Sequence, residues 1–434
     1  MMQHSHSRRV AVVGALGAVA LVLAACSGSS ADGEDGESTE FTYWSTWNEG
    51  EAQQEVMAQA IEDFTEETGI EVNVQWQGRD NVQRLVPALN TAEVPDLVDQ
   101  SYVNTYGSVV SAGQVQGLST AWNADINGET LADIVPSQYL EYIDIQLDDG
   151  EYWMVPYQLT SDAIWFDAAA HPDLVDNAPQ SWDEFIDLLD DLQADGHTPI
   201  ALDGDIPGYN VYWFKTLLLR ELGPGALYEL ASDETGAAWD DPAVLEAAQR
   251  VQELVEGGYF IDGFQGSQFP EQQQQWASGN AALLFMGSWA AAETTPYAAD
   301  GFEYSSFPFP AGTHDSARVD FTGFVVPATA DNGEAAQEFA AFFLQEEYQT
   351  MLGEGAGLLP VRQDVDVNPV LDTVMERLST AESFHQQNDG VAFPGYNDTV
   401  FWAINDDLVL GNLTAEEFVE EAKEATISYW EDQA

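Results

Sequence analysis

The sequence predicts an α/β fold large enough for two lobes, with a candidate ligand site at the end of a buried strand. Three observations lead there. Between Phe41 and Asp99 strand-like and helix-like runs alternate, the βαβαβ rhythm of a parallel sheet. Residues 26–434, the part that follows an N-terminal leader, exceed what a single ordinary core holds, and a whole chain that is 45% hydrophobic and 12% aromatic can fill two. Finally, Trp276 to Trp289 (WASGNAALLFMGSW) reads as a helix end, a break at Gly279-Asn280, a buried strand from Ala281 to Met286, a turn at Gly287-Ser288 and a large aromatic. Trp289 then stands at the carboxyl end of a buried strand, where open α/β sheets bind ligands; the alternative is that it plugs the core.

Taken in order, the chain begins with Arg8-Arg9 and the apolar run Val10 to Leu23, too short for a permanent membrane span. Leu23-Ala24-Ala25-Cys26 closes this leader, residues 1–25, and resembles a bacterial lipoprotein signal cleaved before Cys26 with lipid added to its sulfur. Cys26 is the only cysteine, so no intrachain disulfide can form. Residues 26–40 lack any large apolar side chain and are expected to be a disordered tether to the membrane.

Phe41 to Trp47 alternates as a first strand. Gln54 to Thr68 is expected to be a helix, with Val56, Met57, Ala60, Ile61 and Phe64 on one face and Gly69 as its cap. Ile70 to Trp76 is a second strand, Asn81 to Thr91 a second helix, and Val94 to Asp99 a third strand. Tyr152 to Gln158 and Asp162 to Asp167 are two further strand-like runs. Ser181 and Glu184 have capping-box spacing before the amphipathic stretch Phe185 to Ala194. Pro199 to Leu202 is a short buried strand, and Gly208 to Phe214 opens an aromatic-rich helix. Another helix starts at Asp241-Pro242. Phe302 to Pro310 and Asp320 to Pro327 are extended, Asn332 to Met351 is expected to be one helix, and Thr414 with Glu417 opens the last.

These runs, in this order, resemble the extracellular solute-binding proteins of ABC importers, in the sugar-binding family that includes maltose-binding protein. The likeness is carried by the Trp-rich first strand, Gly69-Ile70 at a helix end, Val94-Pro95-Asp96-Leu97-Val98, and the helix, apolar run and Gly287-Ser288-Trp289. It extends from about Phe41 to Trp430. One departure is Phe166-Asp167, where the family shows Tyr-Asn. The resemblance implies the type II periplasmic-binding-protein fold, with the chain crossing repeatedly between lobes: residues 41–157 and 324–365 in the N-lobe, 158–323 and 366–434 in the C-lobe. It also implies that Trp47, Asn48, Glu49, Gln100 and Ser101 face the cleft, and that Trp289 and Trp402 stack on sugar.

Composition narrows function independently. Arg8 and Arg9 leave with the leader, so nine basic residues remain against 75 acidic ones, a net charge of −66. Dispersed acids repel nucleic acid and anionic ligands such as phosphate, and self-repulsion makes the fold salt-requiring. Nucleophilic catalysis lacks its motifs: there is no G-x-S-x-G elbow and no H-E-x-x-H. His171, His197, His314 and His385 lack ligand spacing and read as surface or loop residues, so no metal or cofactor is expected. Sugars bind with a pyranose face on an aromatic ring and hydroxyls on polar side chains. Clusters that pair these types at element ends are Trp47 with Asn48 and Glu49, Gln158 with Asp162, Tyr209 with Asn210 and Trp213, Trp289, and Tyr396 with Asn397, Asp398 and Trp402. Each of these residues has the alternative of an ordinary core or surface position. Arg79, in a chain poor in arginine, is a hydroxyl donor or else a surface ion pair. Trp44, Trp76, Trp153, Trp165 and Trp182 alternate with apolar residues and are assigned to the core.

The expectation is a monomeric lipoprotein on the outer face of the cell membrane, without enzymatic activity. It would bind a di- or oligosaccharide and deliver it to the transmembrane permease subunits of the importer. The alternatives are a lipoprotein glycoside hydrolase and a binder of a non-sugar solute such as a polyol or peptide.

Overall fold

The opening alternation produces the parallel unit it predicts. In the computed structural model, which describes residues 39–433, β1 (Glu40–Ser45) and β2 (Glu71–Trp76) run parallel with Tyr43 opposite Val74. Helix Ala52–Thr68 joins them and buries Val56, Met57, Ala60 and Phe64. It stops at Gly69, whose φ of 76° lets its N–H turn back to the Thr65 carbonyl. β3 (Leu97–Ser101) pairs parallel with the other edge of β1. The helix between β2 and β3 is shorter than expected, Asn81–Ala88. The leader, Cys26 and nearly all of the tether lie outside the described residues.

The remaining strands are β4 (Val155–Thr160), β5 (Asp162–Asp167), β6 (Ile200–Ala201), β7 (Leu283–Gly287), β8 (Tyr304–Phe307), β9 (Ala317–Arg318), β10 (Asp320–Val325), β11 (Leu359–Pro360) and β12 (Phe384–His385). They form a mixed six-stranded sheet ordered β11-β4-β10-β3-β1-β2, a four-stranded sheet ordered β6-β7-β5-β8, and the short pair β12-β9. One core gathers Phe41, Tyr43, Phe64, Phe324, Phe339 and Phe343 around the larger sheet and helix Gly333–Phe342. The other gathers Ile164, Phe166, Trp213, Trp239, Phe285 and Phe418. Alternate residues of β5 and β7 go to different cores: Trp165, Leu284 and Met286 belong to the first, Ile164, Leu283 and Phe285 to the second. A strand buried on both faces has this consequence, because its side chains alternate.

The chain passes between the two sheets three times, and the first two passages lie away from their expected places. β4 stays in the six-stranded ladder through Thr160 and β5 enters the other at Asp162, so the first crossing is Ser161, not the step after Tyr157. β10 belongs wholly to the larger sheet, so the second crossing precedes Asp320; a boundary at 323 would cut a paired strand. β11 pairs with β4 in the larger sheet, whereas residues 369–371 and the helix Asp372–Thr380 pack on β8 of the smaller one, so the third crossing lies between residues 360 and 369.

Local signals hold with small shifts. The Ser181 hydroxyl accepts the Glu184 N–H at 3.3 Å, and helix Trp182–Ala194 follows. The Glu184 carboxylate reaches one residue further back, accepting the Gln180 N–H at 2.8 Å. Thr414 and Glu417 make the full reciprocal box. The helix expected over Asn332 to Met351 is two, Gly333–Phe342 and Glu346–Thr350, broken where Gln345 is extended. Trp153, Trp165 and Trp182 are buried, and Trp44 and Trp76 pack half-buried against the first core. His385 is not a surface residue: it is 4% exposed, between the Lys215 ammonium and the Ser316 hydroxyl.

Candidate ligand-binding site

A cavity of about 270 Å³ opens between the two sheets, beside the first two crossings, just under the ~300–1,000 Å³ usual for small-molecule sites. From the six-stranded side come Trp47 and Arg79, the segment Ser101 to Asn104 after β3, Gln158 and Thr160 of β4, and Asp320 and Thr322 of β10. From the four-stranded side come Tyr209 and Val211 of helix Pro207–Leu222, and Trp289 and Glu293 after β7. Arg318 lies on the second crossing, and Gln387 and Asn388 follow the third. Asn397 and Trp402 complete the wall.

Trp47 is held by a relay that reaches three strands. Its indole N–H donates to the Tyr157 hydroxyl at 2.9 Å, and that hydroxyl donates to the Asp99 carboxylate at 2.6 Å. The other Asp99 oxygen accepts the Thr46 N–H at 3.0 Å. Burial pushes the Asp99 carboxyl up, against the hydrogen bonds from Tyr157 and Thr46 that favour its ionised form. Arg79 lies 4.7 Å above the Trp47 ring, donates to the Thr46 carbonyl at 2.7 Å and pairs with Glu51 at 3.0 Å. Arg79 is therefore a half-exposed member of an ion pair, as one of its two readings had it, and it also lines the cavity.

Trp289 owes its place to Gly287. A Cβ on that glycine would sit 2.2 Å from the indole, so the ring folds back across the end of β7 only because no side chain stands there. Next to it, the Arg318 guanidinium lies 5.8 Å from the Trp289 ring and 5.0 Å from that of Tyr212. Its Nε donates to Asp320 at 2.9 Å, one terminal nitrogen to the Tyr212 hydroxyl at 2.6 Å and the other to the Gln387 side-chain oxygen at 2.7 Å. Burial alone would lower its pKa, but Tyr212, Asp320 and Asp162 outweigh burial and leave it raised, so it stays a cation. Glu293, between the lobes, has its carboxyl pushed up by burial while Arg79 opposes the shift. Two cations and two carboxylates thus line the wall, and their charges balance.

Of the residues expected here, Trp47, Arg79, Gln158, Tyr209, Trp289, Asn397 and Trp402 line the cavity, as does Ser101. The others do not. Asn48 and Glu49 are exposed, and the Asn48 amide donates to Glu51. Gln100 is buried behind the wall, donating to Thr46 and Asn81. Asp162 and Asp398 lie outside the lining, Asp398 in solvent. Asn210 and Trp213 sit on the inward side of the helix that shows Tyr209 to the cavity; Asn210 donates to Asp406 and Trp213 is in the second core. Tyr396 is core, its hydroxyl 2.7 Å from that of Thr426. Sequence reasoning missed Tyr102, Glu293, Arg318, Asp320, Gln387 and Asn388. Arg318 could have been found by the argument that singled out Arg79, the scarcity of arginine.

Among the described residues, no group of three or more His, Cys, Asp or Glu is placed to hold a metal, and no helix is long and apolar enough to cross a membrane. Two α/β lobes around a cleft of aromatic and polar side chains define the type II periplasmic-binding-protein fold. Residues 59–374 match the model of the bacterial extracellular solute-binding protein family, and the chain belongs to that family. It is similar to the diacetylchitobiose binding protein NgcE of Streptomyces coelicolor, 24% identical over 281 residues, covering 62% of this chain and 58% of that one. A second protein of that organism, the diacetylchitobiose binding protein DasA, is 25% identical over 74% of this chain and 73% of its own. The chain spans little more than half the length of the first curated relatives it matches, 58% and 51%. Among solved structures, a chitin oligosaccharide binding protein superposes with a TM-score of 0.76 at 22% identity, over 91% of this chain and 99% of that one.

Proposed function

We propose that this protein is the substrate-binding component of an ABC importer and captures an uncharged carbohydrate, a di- or oligosaccharide, between its lobes. The observation that carries the reading is the cavity wall. Trp47, Tyr209, Trp289 and Trp402 offer ring faces, amides and hydroxyls stand between them, and the lining charges balance within a chain of strongly negative charge. Apolar sugar faces stack on such rings, and hydroxyls satisfy such amides. The names of similar proteins, binders of diacetylchitobiose and chitin oligosaccharide, support the same class of ligand. In this reading binding selects a closed arrangement of the lobes, a monomer presents it to the membrane permease, and a lipid on Cys26 keeps it at the outer face of the membrane.

The test is a thermal-shift screen of the protein in molar salt against mono-, di- and oligosaccharides, polyols and peptides, with the ligand recovered afterwards. A ligand at a hundred times its dissociation constant stabilises by about 2.7 kcal/mol, a readable shift. One sugar class shifting the melt and recovered intact is the expected outcome. A cleaved sugar makes the protein a hydrolase, and a shift only with polyols or peptides removes the stacking argument.

A further inference from the structure

We propose that Arg318 is the residue through which an occupied cleft sets the angle between the two sheets. The inference rests on the sugar-binding reading and names the contact by which a bound ligand acts on the crossings.

Two crossings and the stretch that follows the third meet at this one residue. At the first, the Ser161 hydroxyl donates to the Arg318 carbonyl at 2.8 Å. Ser161 is itself braced by Ser288: the Ser288 N–H donates to the Ser161 carbonyl at 2.9 Å, and the Ser161 N–H donates to the Ser288 hydroxyl at 3.3 Å. The second crossing carries Arg318 on β9, and β9 pairs with β12, beyond the third, with Arg318 opposite His385. The side chain then repeats these links, reaching Gln387 beyond the third crossing, Asp320 at the start of β10 and Tyr212 in the helix behind the cavity. Trp289 follows Ser288 directly, and its ring is the one 5.8 Å from the guanidinium.

A sugar laid on Trp289 therefore lies beside a cation bonded to Asp320 at the second crossing and to Gln387 beyond the third. A guanidinium fork is planar, so its bonds to Asp320, Tyr212 and Gln387 are made together in one relative placement of those groups. Each terminal nitrogen keeps a second N–H that these bonds do not use. A ligand oxygen accepting one of them favours the placement in which the fork is complete, and that difference in affinity is what shifts a hinge equilibrium. Lys215, buried nearby, cannot serve in the same way: its ammonium is a point charge turned to His385, and it does not line the cavity.

The experiment uses the full chain with Cys26→Ser and spin labels at the exposed positions Val86→Cys and Val175→Cys, one beside each sheet. Double electron–electron resonance then reads the distance between them, free and with the sugar that shifts the melt most. With Arg318 present, the sugar should shorten and narrow the distribution. Arg318→Lys keeps the charge beside Asp320 and loses the fork; sugar affinity should fall about tenfold, and at saturation the distribution should stay broad. A saturated R318K chain that closes like the parent overturns the proposal. If R318K does not fold, Gln387→Leu removes one arm of the fork and is read in the same way. If no sugar binds the parent, the carbohydrate reading fails by itself, and the coupling is judged from the ligand-free distributions. A broader one in R318K or Q387L upholds it, and identical ones overturn it.

Discussion

Trp289 and Gly287 act as one unit, since the indole occupies the space a Cβ would need. Removing the ring removes a stacking face and little of the core, because Trp289 is only partly buried. Trp289→Ala should weaken sugar binding by about two- to tenfold, given ~0.5–1.5 kcal/mol for an aromatic contact beyond its area, with a melting temperature close to the parent's. Calorimetric titration of both chains checks this. His385 makes a second prediction. Burial, then the neighbouring Lys215, Arg220 and Arg318, hold its pKa well below 6.5, so the folded ring is neutral. The unfolded chain takes up a proton near pH 6.5 and the folded one does not, so this residue lowers stability as pH falls below 6.5. Relative to the parent, His385→Gln should gain up to about 1.4 kcal/mol per pH unit below that point and show no such trend above it. Urea unfolding from pH 4.5 to 8 would detect it, and parallel curves would sink it.

At the scale of elements, the link between the loop after β1, β3 and β4 is the relay Trp47–Tyr157–Asp99. Tyr157→Phe keeps the ring packed on Phe324 and Phe343 but leaves the Trp47 N–H without its acceptor and takes one donor from Asp99. A buried group left unpaired costs about 1–3 kcal/mol. The variant should melt lower by that amount and bind sugar more weakly, because Trp47 is no longer fixed; an unchanged melt would show the relay to be dispensable. This scale also separates what sequence discloses from what it hides. The parallel unit β1, β2, β3 was legible because its alternation, helix face and Gly69 cap are local. The first two crossings were not, because a ladder ends where its partner strand ends: β4 reaches Thr160 through β10 and β11, which lie far along the chain. The same holds for the site. Trp47, Tyr209 and Trp289 stand at element ends readable from the residues around them. Arg318 and Gln387 face the cavity only because β9 and β12 pair. Asn210 and Trp213 were misplaced since composition marks an aromatic cluster without saying which turn of the helix faces in.

For the molecule as a whole, the charge balance is harsher than composition suggests. Of the nine basic residues beyond the leader, Lys215, Arg220, Arg318 and Arg362 are 5% exposed or less. The surface is left with five cations among dozens of carboxylates, and its repulsion is screened over ~10 Å at 0.1 M salt and ~3 Å at 1 M. Thermal unfolding followed by circular dichroism should show the melt rising steeply from low to molar sodium chloride, and a melt independent of salt would contradict this. The strand order 11-4-10-3-1-2 has a further consequence for biogenesis. β10 lies between β3 and β4, so β3, already paired with β1, cannot be joined to β4 until residues 320–325 are made. Until that segment leaves the ribosome, the six-stranded sheet stays in two parts, although β5 to β8 of the other sheet are already made. The first strands of the chain thus depend on a segment made much later before their sheet is whole.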